Sequence, residues 1–517
     1  MSAKARRILL AIALAAIALE PFLYVRTFAG DAQVHLVFAE SASHGHFFEF
    51  NPGERVSGET SPGYMLVGAA LFRCLPARWV PVALKALGLL NWYLLCWLVY
   101  RVAVRLFAEK DRRERFWPGV AAIAAAFIPG SVYNANVGME NGLFAAAVWL
   151  WIDLVTKWRW FERSETPTRA GDWSIGQEVA LSTLLGLACW LRPEGLMMLA
   201  LAHAIRYAKA RPPLRVWLVG LLVAAAIGLA SIVFQFAFTG DLVATSILSR
   251  RVLTMRRSLP LGPLAIDPAF AERLILYMPL TAYFVFDVRK RLQAGPEIQR
   301  FLFALLALFF GLYTFVTGGA QLARYAIFLM PILAIGAARG ARVAWEGGRR
   351  KGRLLLGLAA LVFGATNIGE SWYRRQGAAQ DLLSTAMAAP AKRRMQTDAL
   401  LHELGDPAKR PVVLAVESVQ MRYELDDRFL IRSLDGRVDR ALLSFVHDGA
   451  VDHVGYLKLR AVDSFALPPR YNRNPSTWSL AALSTLGLGE TTHHGGLTFQ
   501  RRSSWLFAIE DHGPTDF

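Results

Sequence analysis

Eleven stretches of this chain are apolar over sixteen residues or more: 8–26, 80–105, 117–135, 141–157, 176–191, 194–209, 215–238, 271–287, 299–317, 324–343 and 353–371. Crossing about 30 Å of hydrocarbon takes roughly 20 mostly apolar residues in helix, because lipid leaves no other way to satisfy the backbone. The expected fold class is therefore an α-helical polytopic membrane protein with about eleven transmembrane helices. Composition agrees, since only 19% of residues are charged, where soluble domains carry about a quarter.

The stretch 63–75, GYMLVGAALFRCL, decides the parity of everything after it. It is apolar but too short to span. Lys4, Arg6 and Arg7 put the N-terminus in the cytoplasm, and the basic KDRRER at 110–115 belongs there too. Both hold only if 63–75 does not cross, so it is expected as an interfacial or partly re-entrant helix. The loops then sort by charge. Those at 108–116, 157–170, 205–215, 288–300 and 349–353 are rich in Lys and Arg and face inside. Those at 27–62, 134–141, 191–195, 239–270 and 317–324 face outside, as does everything after 371. Small residues near 14–18 hint at a signal-peptidase site, but Phe22, Tyr24 and Arg26 read as an interface anchor, so 8–26 is expected to remain as a span.

This assignment accounts for the net charge of +17 as cytoplasmic loop charge. No basic-aromatic pattern supports nucleic-acid binding. The three cysteines, Cys74, Cys96 and Cys189, all lie in apolar stretches and form neither a disulfide framework nor a metal motif. From about 374 the chain turns polar and mixed. PVVLAVES (411–418) and RFLIRSLDG (428–436) read as strands and TDALLHEL (397–404) as a helix. The expected organisation is a membrane domain over 1–371 and a small extracytoplasmic α/β domain over 372–517.

The unusual chemistry gathers on the outer side. Asp31 follows the first span, and a carboxylate at that boundary is costly unless solvated, paired or used. It could serve as a general base or merely as a polar helix end. The first outer loop is read as a polar loop throughout. Within it NPGERVSGETSP (51–62) is a constrained turn presenting Glu54, Arg55, Glu59 and Thr60, for function or simply as a packed surface loop. VGMENG places Glu140 at a helix start, where a dipole role is the plainer alternative. LRPEG offers Arg192 and Glu194, which could pair with each other. The 239–270 loop is external yet carries Arg250, Arg251, Arg256 and Arg257, against the orientation bias. Guanidinium forks match phosphate oxygens, so a phosphate or pyrophosphate is the natural partner, with lipid headgroups as the alternative. Arg324 could join them. His35, His44 and His46 match no zinc spacing, so no metal centre is expected, although a divalent ion stays open.

Taken in order, these motifs resemble the GT-C glycosyltransferases, nearest the terminal arabinofuranosyltransferases of mycobacterial cell walls. The resemblance rests on NPGERVSGETSP, VGMENGLF, LRPEG, TGDLVATSILSR (239–250) and GGAQLARY (318–325), and covers roughly 25–340. The chain departs from it where Gly30 stands beside Asp31 in place of a second acid, where Glu59 replaces a Tyr, where Ala244-Thr245-Ser246 replaces Pro-Asn-Thr, and where Ala320 replaces an Asp. The resemblance implies an enzyme of the bacterial cytoplasmic membrane that moves a sugar, with arabinofuranose favoured, from a polyprenyl-phosphate donor to an envelope glycan, lipid or protein acceptor. It implies transfer on the outer face with Asp31 as base, and a one-step transfer with inversion is expected. Glu140, Arg192, Glu194, Glu54 and Thr60 would bind substrate, and Arg250, Arg251 and Arg324 the donor phosphate. The rivals are a flippase for a lipid-linked glycan precursor and a non-catalytic envelope assembly protein. The first is disfavoured by the lack of an internal repeat.

Overall fold

The structure, a computed structural model, describes residues 3–107, 116–128, 130–161, 174–248 and 326–346, with shorter stretches of 298–309 and 354–517. In chain order the described helices are α1 (Ala3–Leu19), α2 (Gly30–Ser43), α3 (Pro62–Cys74), α4 (Val80–Phe107), α5 (Phe116–Ala126), α6 (Ser131–Asn136), α7 (Asn141–Lys157), α8 (Ile175–Leu191), α9 (Glu194–Ile205), α10 (Leu214–Thr239), α11 (Met330–Glu346), α12 (Leu382–Glu403) and α13 (Met421–Glu424). A hairpin of β1 (Glu49–Asn51) and β2 (Glu54–Arg55) lies between α2 and α3. The chain divides into two compact units. The first comprises 1–27, 84–232 and 258–378, the second 28–83, 233–257 and 379–517.

Among the described residues two helices are long and apolar enough to cross a membrane, Ala77–Phe107 and Leu214–Thr239. At about 1.5 Å per residue both exceed the hydrocarbon thickness. The expected spans at 271–287 and 353–371 lie outside the described residues, apart from single positions. The span expected at 117–135 is not one helix. α5 ends at Ala126, Gly130 takes a left-handed φ of 73°, and α6 starts at Ser131. The span expected at 194–209 also changes character, since α9 ends at Ile205 and a π-helical turn follows over Arg206–Ala210.

The first unit is filled by large aromatics. Trp149 and Trp151 on α7 are fully buried, and Trp149 Nε1 donates to the Phe328 carbonyl at 2.8 Å. α4 and α6 approach so closely at Gly88 that a Cβ there would fall 2.1 Å from the Ala135 carbonyl oxygen. Lys85, one turn earlier, is buried and donates to the carbonyls of Tyr24, Thr27 and Asn136 at 2.7, 2.6 and 2.7 Å. One ammonium thus ties the end of the first helical segment to the segment that leads into Glu140.

The second unit corrects the reading of 27–62 as a loop throughout, because residues 30–43 are the helix α2. Ala32, Leu36 and Ala39 recur at helical spacing and are buried, and burial of that face outweighs the polar residues between them. The 51–62 stretch does turn as expected, through Pro52-Gly53 with Gly53 at φ 74°. α3 begins with Pro62 at its first turn and stops where Leu75 becomes extended ahead of Pro76. Further on, a six-stranded sheet runs in the order β4-β3-β7-β10-β9-β8, namely Phe429–Ser433, Val412–Val416, Ser464–Leu467, Trp505–Glu510, Leu497–Arg502 and Thr491–His494. The pairs β4-β3, β3-β7 and β7-β10 are parallel, and β9 and β8 add an antiparallel edge. A separate two-stranded ladder, β5-β6, pairs Val446–His447 with Ala450–Val451.

Candidate functional site

In the first unit, α8 ends at Leu191, Arg192 is extended (φ −159°, ψ 144°), and Pro193 opens α9. A Cβ on Gly195 would lie 2.6 Å from the Ala188 backbone, so the reversal that places Arg192 requires glycine there. Arg192 Nη1 donates to Glu140 and, at 2.8 Å, to Asn141 Oδ1. Its Nε and Nη2 donate to the two Glu194 oxygens at 3.1 and 2.8 Å. Arg192 is 5% exposed and Glu140 2%. Glu140 stands at the N-cap of α7 without a side-chain capping bond, so the ion pair, not the cap, is what its carboxylate makes. Two carboxylates gathered around one guanidinium are groups able to accept hydrogen bonds from hydroxyls. The buried Asn141 Nδ2 beside them has no hydrogen-bond partner among the described residues.

In the second unit, Asp31 sits half-buried in the first turn of α2, where the helix dipole favours a carboxylate. One turn on, His35 Nδ1 lies 2.6 Å from Glu59 Oε2, and Glu59 Oε1 accepts the Ser61 N–H at 2.7 Å. The 51–61 turn also meets the start of the TGDLVATS segment. Ser57 Oγ donates to Asp241 at 2.6 Å, lies 2.7 Å from Thr245 Oγ1 and accepts the Thr245 N–H at 3.0 Å. All three residues are buried. Glu54 is held by Arg432, and Glu40 on α2 by Arg393 on α12 at 2.8 and 2.6 Å. Thr60 is half-buried between Glu59 and Ser61. Burial disfavours the charged form of Arg393, but its hydrogen bonds and charge attraction to Glu40 prevail and raise its pKa.

The structure thus brings Glu140, Arg192 and Glu194 together in one cluster, and Glu54 and Thr60 into the same unit as Asp31. Arg250, Arg251 and Arg324 lie outside the described residues. His35, His44 and His46 do not converge. They meet Glu59, the Glu40 carbonyl and Glu49 respectively. Among the described residues no group of three His, Cys, Asp or Glu side chains could hold a metal ion. Sequence reasoning did not single out Ser57, Asp241 or Lys85. For Lys85 a signal existed, since an ionisable residue inside an apolar span has a partner or a use.

No protein-family model matches the sequence, and no curated protein matches it significantly. Among solved structures, the chain is similar to ArnT from Cupriavidus metallidurans bound to undecaprenyl phosphate. The TM-score is 0.50 at 12% identity, over 84% of this chain and 87% of that one. It is likewise similar to the Archaeoglobus fulgidus oligosaccharyltransferase tethered to an acceptor peptide carrying an NVT sequon. There the TM-score is 0.50 at 12% identity, over 82% of this chain and 64% of that one. The chain shares the overall fold of these two structures.

Proposed function

We propose that the chain is a membrane glycosyltransferase that moves a sugar from a polyprenyl-phosphate donor to a cell-envelope acceptor on the outer face of the cytoplasmic membrane. The observation that carries this reading is the lacing of the 51–61 turn to Asp241 and Thr245. Two motifs 184 residues apart meet in the unit that also holds Asp31. The fold shared with a structure holding undecaprenyl phosphate supports the donor class. That fold hosts more than one chemistry, so the substrate has to be argued from the residues.

In this reading the acceptor hydroxyl attacks the anomeric carbon, the bond from that carbon to the phosphate oxygen breaks, and polyprenyl phosphate leaves. A single displacement inverts the configuration. Asp31 takes the hydroxyl proton as general base. Arg250, with Arg251 and Arg324, stabilises charge growing on the leaving phosphate, an effect worth about 3 kcal/mol per well-placed donor. Glu140, Arg192, Glu194, Glu54 and Thr60 bind sugar or acceptor hydroxyls. Residues 1–371 form the transmembrane catalytic part with about eleven spans, and 372–517 an extracytoplasmic domain. Arabinofuranose is the favoured sugar, on the sequence motifs alone.

The test is incubation of the purified full chain with radiolabelled polyprenyl-phosphate sugars and envelope extract. Transfer of label with inverted configuration supports the proposal. Movement of donor across a bilayer without transfer would support the flippase reading instead.

A further inference from the structure

The end of α7 away from Glu140 carries a second constellation, entirely within the first unit. α7 is 17 residues long, which places it about 25 Å from Glu140 along the helix. A cavity of about 90 Å³ opens there, lined by the polar Arg105, Thr156 and Arg159 and by the apolar Leu106, Val155, Phe161 and Ile298. A single water needs about 10–15 Å³ of such volume, so a larger group fits. Among the described residues Arg101 and Arg105 share one carboxylate, that of Asp153, at 3.1 and 2.5 Å. The Arg105 bonds to Asp153 and Thr156 all run from Nη1.

Arg159 is the unusual member. Its φ is 53°, the left-handed region that favours glycine. The Trp158 N–H bonds the Leu154 carbonyl and the Trp160 N–H the Val155 carbonyl, so Arg159 occupies the position after the helix where glycine is the ordinary choice. A cation near a helix C-terminus is favourable in itself, but Lys157 supplies one there without strain. The turn is fixed from behind by Arg206, which donates to the Trp160 carbonyl. A fold that keeps a strained arginine facing a cavity with another arginine and a threonine is arranged for an anion.

We propose that Arg105, Thr156 and Arg159 form a binding site for a phosphate group, separate from the proposed transfer site. The apolar lining residues suit a phosphate that carries a hydrocarbon chain. This proposal does not depend on the transferase reading.

The test measures thermal unfolding of the purified full chain and of its Arg159→Gly and Arg159→Gln variants. One arm titrates inorganic phosphate in detergent against chloride at equal ionic strength. The other compares nanodiscs containing phosphatidylglycerol with nanodiscs of phosphatidylcholine alone. The expected result is a rise in Tm of the unsubstituted chain with phosphate, phosphatidylglycerol or both, half-saturating about tenfold or more weaker in either variant. Arg159→Gly should at the same time melt no lower than the unsubstituted chain without ligand, because glycine relieves the strain. A rise only with the lipid identifies a headgroup, and one only with phosphate a soluble ligand. No rise in either arm, or a rise undiminished in both variants, overturns the proposal.

Discussion

Glu54 Oε1 and Oε2 are held by Arg432 Nη2 and Nη1 at 2.7 and 2.5 Å, across 378 residues of sequence. A residue in a turn rich in Pro and Gly, expected to face a substrate, is also the anchor of that turn on strand β4. Asn51 Nδ2 donates to the same carboxylate at 3.0 Å. The substitution Glu54→Gln keeps the shape but breaks the fork. It should cost about 1.5–3 kcal/mol, the scale of hydrogen bonds to charged groups, at the lower end because Glu54 is 35% exposed. Urea unfolding measures it. Unchanged stability with a raised acceptor KM would show that Glu54 serves the substrate alone and does not anchor the turn.

Asp31→Asn should leave the melting temperature close to that of the unsubstituted chain and reduce sugar transfer by about 10²–10⁴-fold, the range for loss of a general base. Single-turnover transfer assays on detergent-purified protein read this out. Transfer near the normal rate excludes Asp31 as the base.

Arg192→Met removes the cation between Glu140 and Glu194 and strands two carboxylates in a buried place. A loss of about 3–5 kcal/mol is expected, visible as reduced yield of folded protein. Arg192→Lys should recover only part of it, since an ammonium cannot bridge Glu140, Asn141 and Glu194 with the fork geometry. Full rescue by lysine would show that charge alone suffices.

A pH dependence follows from Asp426. Burial would raise its pKa, but hydrogen bonds from the Arg428 side chain and backbone and the Arg428 charge prevail and lower it. Arg428 responds with a raised pKa, mainly through its hydrogen bonds to Asp426 and then to Asp398. Because the folded value of Asp426 lies below the unfolded value of about 3.9, its contribution is present above that pH. It disappears as pH falls through the folded value. Stability should therefore decline in acid below about pH 4, and Arg428→Met should flatten that part of the curve. An equally steep decline in Arg428→Met would assign the acid sensitivity to other carboxylates.

Ser57→Ala leaves Asp241 and Thr245 without the hydroxyl that joins them. A double-mutant cycle with Asp241→Asn should give a coupling of about 0.5–3 kcal/mol between the two positions. Additive effects would show the bond to be energetically idle.

The parts of the fold legible in the sequence are those set by local pattern. α4 and α10 lie where length and apolarity put them, and β3 and β4 fall within the two stretches read as strands at 411–418 and 428–436. α2 was not legible. Asp31, Gln33 and His35 interrupt its apolar residues, and burial against the rest of its unit overrides that local signal. The pairing of Glu140 with Arg192 and Glu194 was only half visible. Arg192 and Glu194 are neighbours in sequence, while Glu140 reaches them through the close helix approaches at Gly88 and Gly195. The arginines that hold Glu40 and Glu54 come from the far end of the chain, and no spacing rule could connect them.

The interleaving of the two units bears on how such a chain is made. The polypeptide passes between them five times, and the second unit is closed by residues 379–517. During synthesis Glu40 and Glu54 emerge hundreds of residues before Arg393 and Arg432 exist to meet them. The early segment must wait, its acids hydrated, until the last quarter is translated. A ribosome stalled before residue 393 would leave the 28–83 region protease-sensitive.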